Sequence, residues 1–221
     1  MSWDTNDLIR HLGADRTPVR RLGSPWRRAV HWLAVALVSI VFVVLMATPR
    51  QDLKLVLADP RFQIEQLAAL VTAAVAAVAA FSLIVPGRSR KILFLLIIPM
   101  AIWLTSMGVG CVRDWLRLGS DVLKIQPDWI CFPAIAMAGA VPAAAMVVML
   151  RRGAPLAPWA SVTLGALAAA ALGNFGLRLF HAQDAGLMVL VWQFGSVVLL
   201  SVAAGFFGRR ILVWHHTGTL R

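Results

Sequence analysis

Residues 29–47 read AVHWLAVALVSIVFVVLMA, nineteen residues without a lysine, arginine, aspartate or glutamate. A hydrocarbon core about 30 Å thick is crossed by about 20 predominantly apolar residues in a helix, so this stretch has the length and composition of a membrane span. Five more follow, at Ile64–Val85, Ile92–Gly110, Trp129–Leu150, Ala160–Leu179 and Leu187–Phe207, with interiors nearly free of charge. The buried core of a soluble helical protein does not leave six such stretches in 221 residues. The chain therefore reads as all-α, a polytopic membrane helical bundle with six transmembrane helices. The first stretch is expected to be retained rather than cleaved as a signal peptide, because a long patterned basic segment precedes it and the apolar run exceeds a usual signal core.

The basic residues sort by side. Fourteen of the 21 lysines and arginines fall in the amino-terminal tail (Arg10, Arg16, Arg20, Arg21, Arg27, Arg28), the second loop (Arg88, Arg90, Lys91), the fourth loop (Arg151, Arg152) and the carboxy tail (Arg209, Arg210, Arg221). The seven on the other side (Arg50, Lys54, Arg61, Arg113, Arg117, Lys124, Arg178) are matched by seven acids there: Asp52, Asp59, Glu65, Asp114, Asp121, Asp128 and Asp184. The whole formal charge of +11 thus lies on one face. The excess of Lys and Arg on cytoplasmic loops makes that face cytoplasmic, with both termini inside. A basic chain of this kind needs no direct nucleic-acid partner, since neither a recognition-helix pattern nor a basic, aromatic-interleaved stretch accompanies the charge.

Short loops predict antiparallel hairpins in one bundle. Ala68, Ala69, Ala73, Ala76, Ala77 and Ala80 crowd the second span, and Gly165, Ala169 and Gly173 form a small-residue row in the fifth. Such rows let helix backbones approach where lipid offers no hydrophobic drive to association. Pro99, Pro133 and Pro142 are candidate kinks, each removing a backbone donor. Within the longer outer connection, Val112–Ile125 has mostly helical apolar spacing and is expected to lie along the outer interface as an amphipathic helix. The first outer loop, Thr48–Gln63, carries no assignment.

Little in the chain looks catalytic, and no enzyme activity is expected. Ionisable residues inside a membrane are the usual functional pointers, but Glu65 and Arg178 lie near span ends, where they are expected to snorkel to the interface. Asn174 and Gln193 are the deep polar residues, expected to bond across helices. Gly108 and Gly110 lack a phosphate-loop continuation and carry no weight. Cys111 ends the third span and Cys131 begins the fourth, placing both at the outer boundary; they are not a Cys-x-x-Cys pair, so a thiol-oxidase motif is missing. His181 follows the fifth span on the same face. Three such residues can form a disulfide, act as a thiol sensor or take a soft metal, while a small apolar role for cysteine is the plain alternative.

The amino-terminal tail is the second candidate. Asp4 or Thr5 can cap a short helix with Leu8, Ile9 and Leu12 as an apolar stripe, Asp7 in its first turn, and Gly13 at its end. So short a helix is unstable alone in water. It must rest on lipid, on its own bundle, or in a groove of a cytoplasmic protein; Asp4, Asp7 and Asp15 argue against an anionic lipid surface and favour the groove.

The run Thr5-Asn6-Asp7-Leu8-Ile9-Arg10-His11-Leu12-Gly13-Ala14-Asp15-Arg16-Thr17-Pro18-Val19-Arg20-Arg21-Leu22 resembles the opening of the negative-regulator-of-sigma-F family, six-span membrane anti-sigma factors of proteobacteria. The turn Leu150-Arg151-Arg152-Gly153-Ala154-Pro155 and the stretch from Asp184 to Trp192 match as well. The resemblance implies a bacterial inner-membrane regulator that holds an extracytoplasmic-function sigma factor. Asp7, Leu8, Ile9, Leu12, Asp15, Pro18 and Val19 match the docking motif, with Leu8, Ile9 and Leu12 as apolar anchors.

The resemblance also implies sensing of oxidative or heavy-metal stress through outer-face cysteines. Cys131 falls on one of those positions, whereas His181 stands where the second cysteine is usual. A disulfide between those two positions is thereby excluded, leaving a mixed Cys131/His181 site for a transient soft metal ion, a Cys111–Cys131 disulfide, or a signal that uses no thiols. On this reading residues 1–28 are a sigma-docking tail, 29–207 a six-helix transmembrane sensor and 208–221 a cytoplasmic basic tail. The rival class is a small transporter, channel or membrane thiol oxidoreductase, which would depend on Asn174, Gln193 or the cysteines and be indifferent to loss of the tail.

Overall fold

The computed structural model of the chain describes residues 4–14, 22–87, 91–119, 129–153, 156–182 and 186–212, apart from the side chains of Leu8, His11 and Leu12. Nine helices follow in order among the described residues: α1 (Thr5–Ala14), α2 (Pro25–Ala47), α3 (Leu53–Ala58), α4 (Pro60–Leu83), α5 (Ile92–Leu118), α6 (Cys131–Leu150), α7 (Pro158–Phe180), α8 (Gly186–Phe206) and α9 (Gly208–Ile211). Six of them, α2 and α4 to α8, are long and apolar enough to cross a membrane. Inside α8, Val189–Phe194 winds as π-helix.

Local chemistry sets the starts of these helices. Ser24 and Asp59 accept from the backbone N–H groups of Arg27 and Arg61, and Pro25, Pro60 and Pro158 occupy first-turn positions where a missing N–H costs nothing. Pro133 sits in the first turn of α6 for the same reason, while Pro99 and Pro142 lie inside α5 and α6. The carbonyl of Pro142 accepts from the indole N–H of buried Trp32 at 2.8 Å, tying α6 to α2.

The centre of the bundle is α7, which packs on α2, α4, α6 and α8. Its apolar window is 72% buried, against 22% for α5 at the periphery. The small residues make this possible. A Cβ on Gly173 would stand 2.6 Å from the carbonyl oxygen of Ile135, and one on Gly139 would stand 3.0 Å from that of Ala169, so α6 and α7 touch backbone to backbone. All six alanines that crowd α4 are buried.

Three expectations are revised, and one unassigned segment gains structure. The segment from Val112 to Leu118 does not form a separate interfacial helix; it continues α5 without a break, and residues 120–128 lie outside the described set. Helical hydrogen bonding carries straight through Gly110, so the apolar spacing beyond it prolongs the span. Consecutive spans pair as hairpins except α5 and α6, which share no packed interface: α5 lies on α4 and α8, α6 on α7, α2 and α8. The unassigned first outer loop contains α3 and the cap of α4. Finally, α1 includes Gly13 and runs to Ala14.

Candidate functional site

The packing separates two ends of the bundle. One, here the tail end, gathers the starts of α2, α5 and α7 with the ends of α4, α6 and α8: Arg28 lies over the Phe81 ring, and Arg151 Nε donates to the Ile211 carbonyl. Exposed Trp26 and Trp159 stand there, and Trp115 and Trp129 stand at the far end, where amphipathic rings favour the two membrane interfaces.

At the far end the residues expected to snorkel do not. Glu65 and Arg178 are 3% and 5% exposed and bond to each other across the α4–α7 interface, Arg178 Nη2 donating to Glu65 Oε2 at 3.0 Å. The second oxygen of Glu65 accepts from Arg61 Nε at 3.0 Å, one turn back on the same face of α4. Arg61 Nη1 in turn lies 4.0 Å from Asp114 Oδ1 on α5, and Asp114 Oδ2 accepts the backbone N–H of Gly186 at 2.9 Å, at the start of α8. Four spans are thus joined by one chain of charge, with two arginines and two carboxylates. The Arg178 guanidinium also lies 5.0 Å from the centre of the Phe62 ring.

Gly110 makes this arrangement possible, because a Cβ there would fall inside the Arg61 guanidinium. A small cavity of about 260 Å³ opens onto Asp59, Arg61, Glu65 and Arg178, with Leu55 and Val56 of α3 on its wall. The α3 segment is held over it by the Arg50 N–H, which donates to the Leu179 carbonyl at 3.1 Å, and by the Arg50–Asp52 ion pair at 2.7 Å. The sequence carried one signal for this network: Glu65 is the lone charge of its apolar stretch and Arg178 of another, and each would be costly in lipid without the other.

The sensing candidates sit around this network. Cys111 is half-buried on α5 against the start of α8, where a Cβ on Gly186 would stand 2.6 Å from its backbone nitrogen. Cys131 is fully buried as the first residue of α6, and His181 ends α7, its N–H donating to the Leu177 carbonyl at 2.8 Å. The two cysteines are not bridged, and they belong to helices that do not pack on one another. Among the described residues no group of three His, Cys, Asp or Glu side chains is placed to hold a metal ion. Among the described residues, the expected cross-helix bonds are also missing for Asn174 Oδ1 and for both amide atoms of Gln193. Gln66 supplies such a bond instead, from Nε2 to the Phe175 carbonyl at 3.1 Å.

Of the docking candidates, Asp7 and Ile9 lie on α1, both exposed, with Asp7 3.8 Å from Arg10. Leu8 and Leu12 are helical, but their side chains fall outside the described set, as do Asp15, Pro18 and Val19 altogether. Among the described residues the helix shares no packed interface with the bundle.

Comparison with known proteins gives one result. The model of a family described as negative regulator of sigma F matches residues 12–214, nearly the whole chain. No curated protein and no solved structure matches.

Proposed function

This chain belongs to the negative-regulator-of-sigma-F family, and we propose that it is a membrane anti-sigma factor for a sigma factor of the extracytoplasmic-function class. Its docking element is the tail of residues 1–28, read out through Asp7, Leu8, Ile9, Leu12, Asp15, Pro18 and Val19. The observation that carries this is α1: ten residues long, with Ile9 62% exposed and, among the described residues, no helix of the bundle packed against it. A helix that short needs a partner surface to persist, and an apolar stripe flanked by acids suits a groove on a soluble protein. The charge sorting supports a cytoplasmic tail end in a bacterial inner membrane, with residues 208–221 as a basic tail on the same side.

Residues 29–207 serve as the sensor, with input at the far end. Cys111 lies one helical turn before Asp114 and against the start of α8, so oxidation or metal capture there bears on the Asp114–Arg61–Glu65–Arg178 chain. Because α7 carries Arg178 and also packs along α2, whose start is the root of the tail, a change in that chain shifts α7 against α2 and lowers the affinity of the tail for sigma. A coupling of about 1–3 kcal/mol corresponds to a change of about 5–150-fold in affinity.

The test is a detergent pull-down of the intact protein beside the protein lacking residues 1–22, with bound soluble proteins identified by mass spectrometry. A sigma factor retained only by the intact form supports the reading. A folded, shortened protein that keeps the sigma factor, or an intact one that binds none, overturns it.

A further inference from the structure

At the tail end, in the first turn of α2, Arg28 is only 8% exposed although it carries a full charge. Its Nη2 donates to the Met149 carbonyl on α6, and its guanidinium lies 4.5 Å from the centre of the Phe81 ring on α4. Nη1 is buried and has no acceptor among the described residues. A buried charged donor without an acceptor is costly. The segment that supplies the Met149 carbonyl brings a further cation: Arg152, exposed in the turn after α6, lies three residues beyond Met149, and neither arginine pairs with an acid among the described residues.

The imbalance extends over the whole end. Arg27, Arg28, Lys91, Arg151, Arg152, Arg209 and Arg210 gather there, while the described acids of the bundle (Asp52, Asp59, Glu65, Asp114) all lie at the far end. Trp26 and Trp159, 54% and 63% exposed, mark the level of the lipid headgroups beside Arg28.

From this geometry we infer that Arg28 and Arg152 bind the phosphate of an anionic phospholipid headgroup. A phosphate supplies several strong acceptors to two guanidinium groups and removes their mutual repulsion. Lipid is favoured over soluble phosphate because Arg28 belongs to a membrane span, between exposed Trp26 and exposed Val30, where a ligand arrives with acyl chains that cover the same apolar surface. The bound headgroup fixes the first turn of α2 at Arg28, six residues after the segment 1–22. This inference rests on the membrane-spanning bundle alone and stands apart from the anti-sigma reading.

The test is native mass spectrometry of the full chain released from micelles holding equal amounts of phosphatidylglycerol and phosphatidylcholine with matched acyl chains, together with thermal unfolding after addition of either lipid or of inorganic phosphate. Preferential retention of phosphatidylglycerol is expected, reduced by roughly tenfold or more in Arg28→Gln and in Arg152→Gln, the scale of one charge-assisted hydrogen bond. Arg209→Gln should retain it. Equal retention of both lipids overturns the site, and so does an equal loss in Arg209→Gln, which would reduce it to the general basic field. A rise in Tm with inorganic phosphate matching that with phosphatidylglycerol overturns the lipid as occupant. Should Arg28→Gln fail to fold, Arg152→Gln decides the matter, because its side chain is exposed.

Discussion

Glu65 and Arg178, 113 residues apart in the chain, meet at 3.0 Å with side chains only 4% and 6% exposed, and the other carboxylate oxygen of Glu65 is taken by Arg61. Removing one partner of a buried ion pair leaves an uncompensated charge and costs about 3–5 kcal/mol. Glu65→Gln is therefore expected to lower stability by about that amount in thermal or denaturant unfolding of the detergent-solubilised protein. The double replacement Glu65→Gln/Arg178→Gln should cost clearly less than the sum of the two singles. Additive losses would mean that the two groups do not interact.

Gly110 is the seat of the Arg61 guanidinium. Gly110→Ala should expel that group, break its bond to Glu65, and destabilise the protein by about 1–3 kcal/mol through overpacking. Combining it with Arg61→Gln, a shorter side chain, should recover part of the loss. A double variant no better than Gly110→Ala alone would show that the crowding lies elsewhere.

The α6–α7 contact depends on Gly173, where a Cβ would meet the Ile135 carbonyl at 2.6 Å and the Gly139 nitrogen at 3.1 Å. Because both are backbone atoms, the helices must separate to admit a side chain. Gly173→Ala is expected to lower Tm steeply. Gly108, with nothing within 4 Å of its would-be Cβ, is the matched control. Gly108→Ala should be neutral or stabilising by up to about 1 kcal/mol from helix propensity. Equal effects at the two positions would refute the packing account.

Outside the spans, hydrogen bonds from Arg50 at 2.7 Å to each carboxylate oxygen hold the Asp52 carboxyl below its ordinary value. A carboxyl whose folded value is depressed contributes stability above the unfolded value, about 3.9, and that contribution fades as pH falls through the folded value. The first far-end loop should thus exchange its amide hydrogens relatively faster in acid than the base-corrected rates of the bundle predict. Asp52→Asn should abolish that acid dependence. A wild-type loop without acid-dependent protection would contradict the assignment.

For the proposed regulation, Leu8→Asp, Ile9→Asp and Leu12→Asp should each release the sigma factor without an inducing signal, read as constitutive transcription from its promoter. Replacing Cys111 and Cys131 together by Ser should leave basal sequestration intact and abolish induction by oxidant or soft metal. Full induction in the double variant would sink the thiol mechanism and leave the charge chain to be tested with other stimuli.

The six spans, the charge sorting and the small-residue row of α7 were legible in the chain because each is a property of neighbouring residues. Twenty apolar side chains must leave water wherever they sit, and small residues at every fourth position (Gly165, Ala169, Gly173) lie on one helix face whatever it meets. The α1 helix was legible on the same grounds, from an apolar stripe and an acid in the first turn. The fate of Glu65 and Arg178 was not. Position near a span end is compatible equally with snorkelling and with burial, and the difference lies in which helices adjoin. Once α7 takes the centre and α5 packs on α4 and α8, Arg178 faces Glu65, Gly110 gives Arg61 its space, and Asp114 reaches the start of α8. The same long-range packing leaves Arg28 buried at the opposite end. Local composition dictates that a segment enters the membrane; burial of a charge depends on a partner supplied by a distant segment, and that choice is made by the packing of the whole bundle.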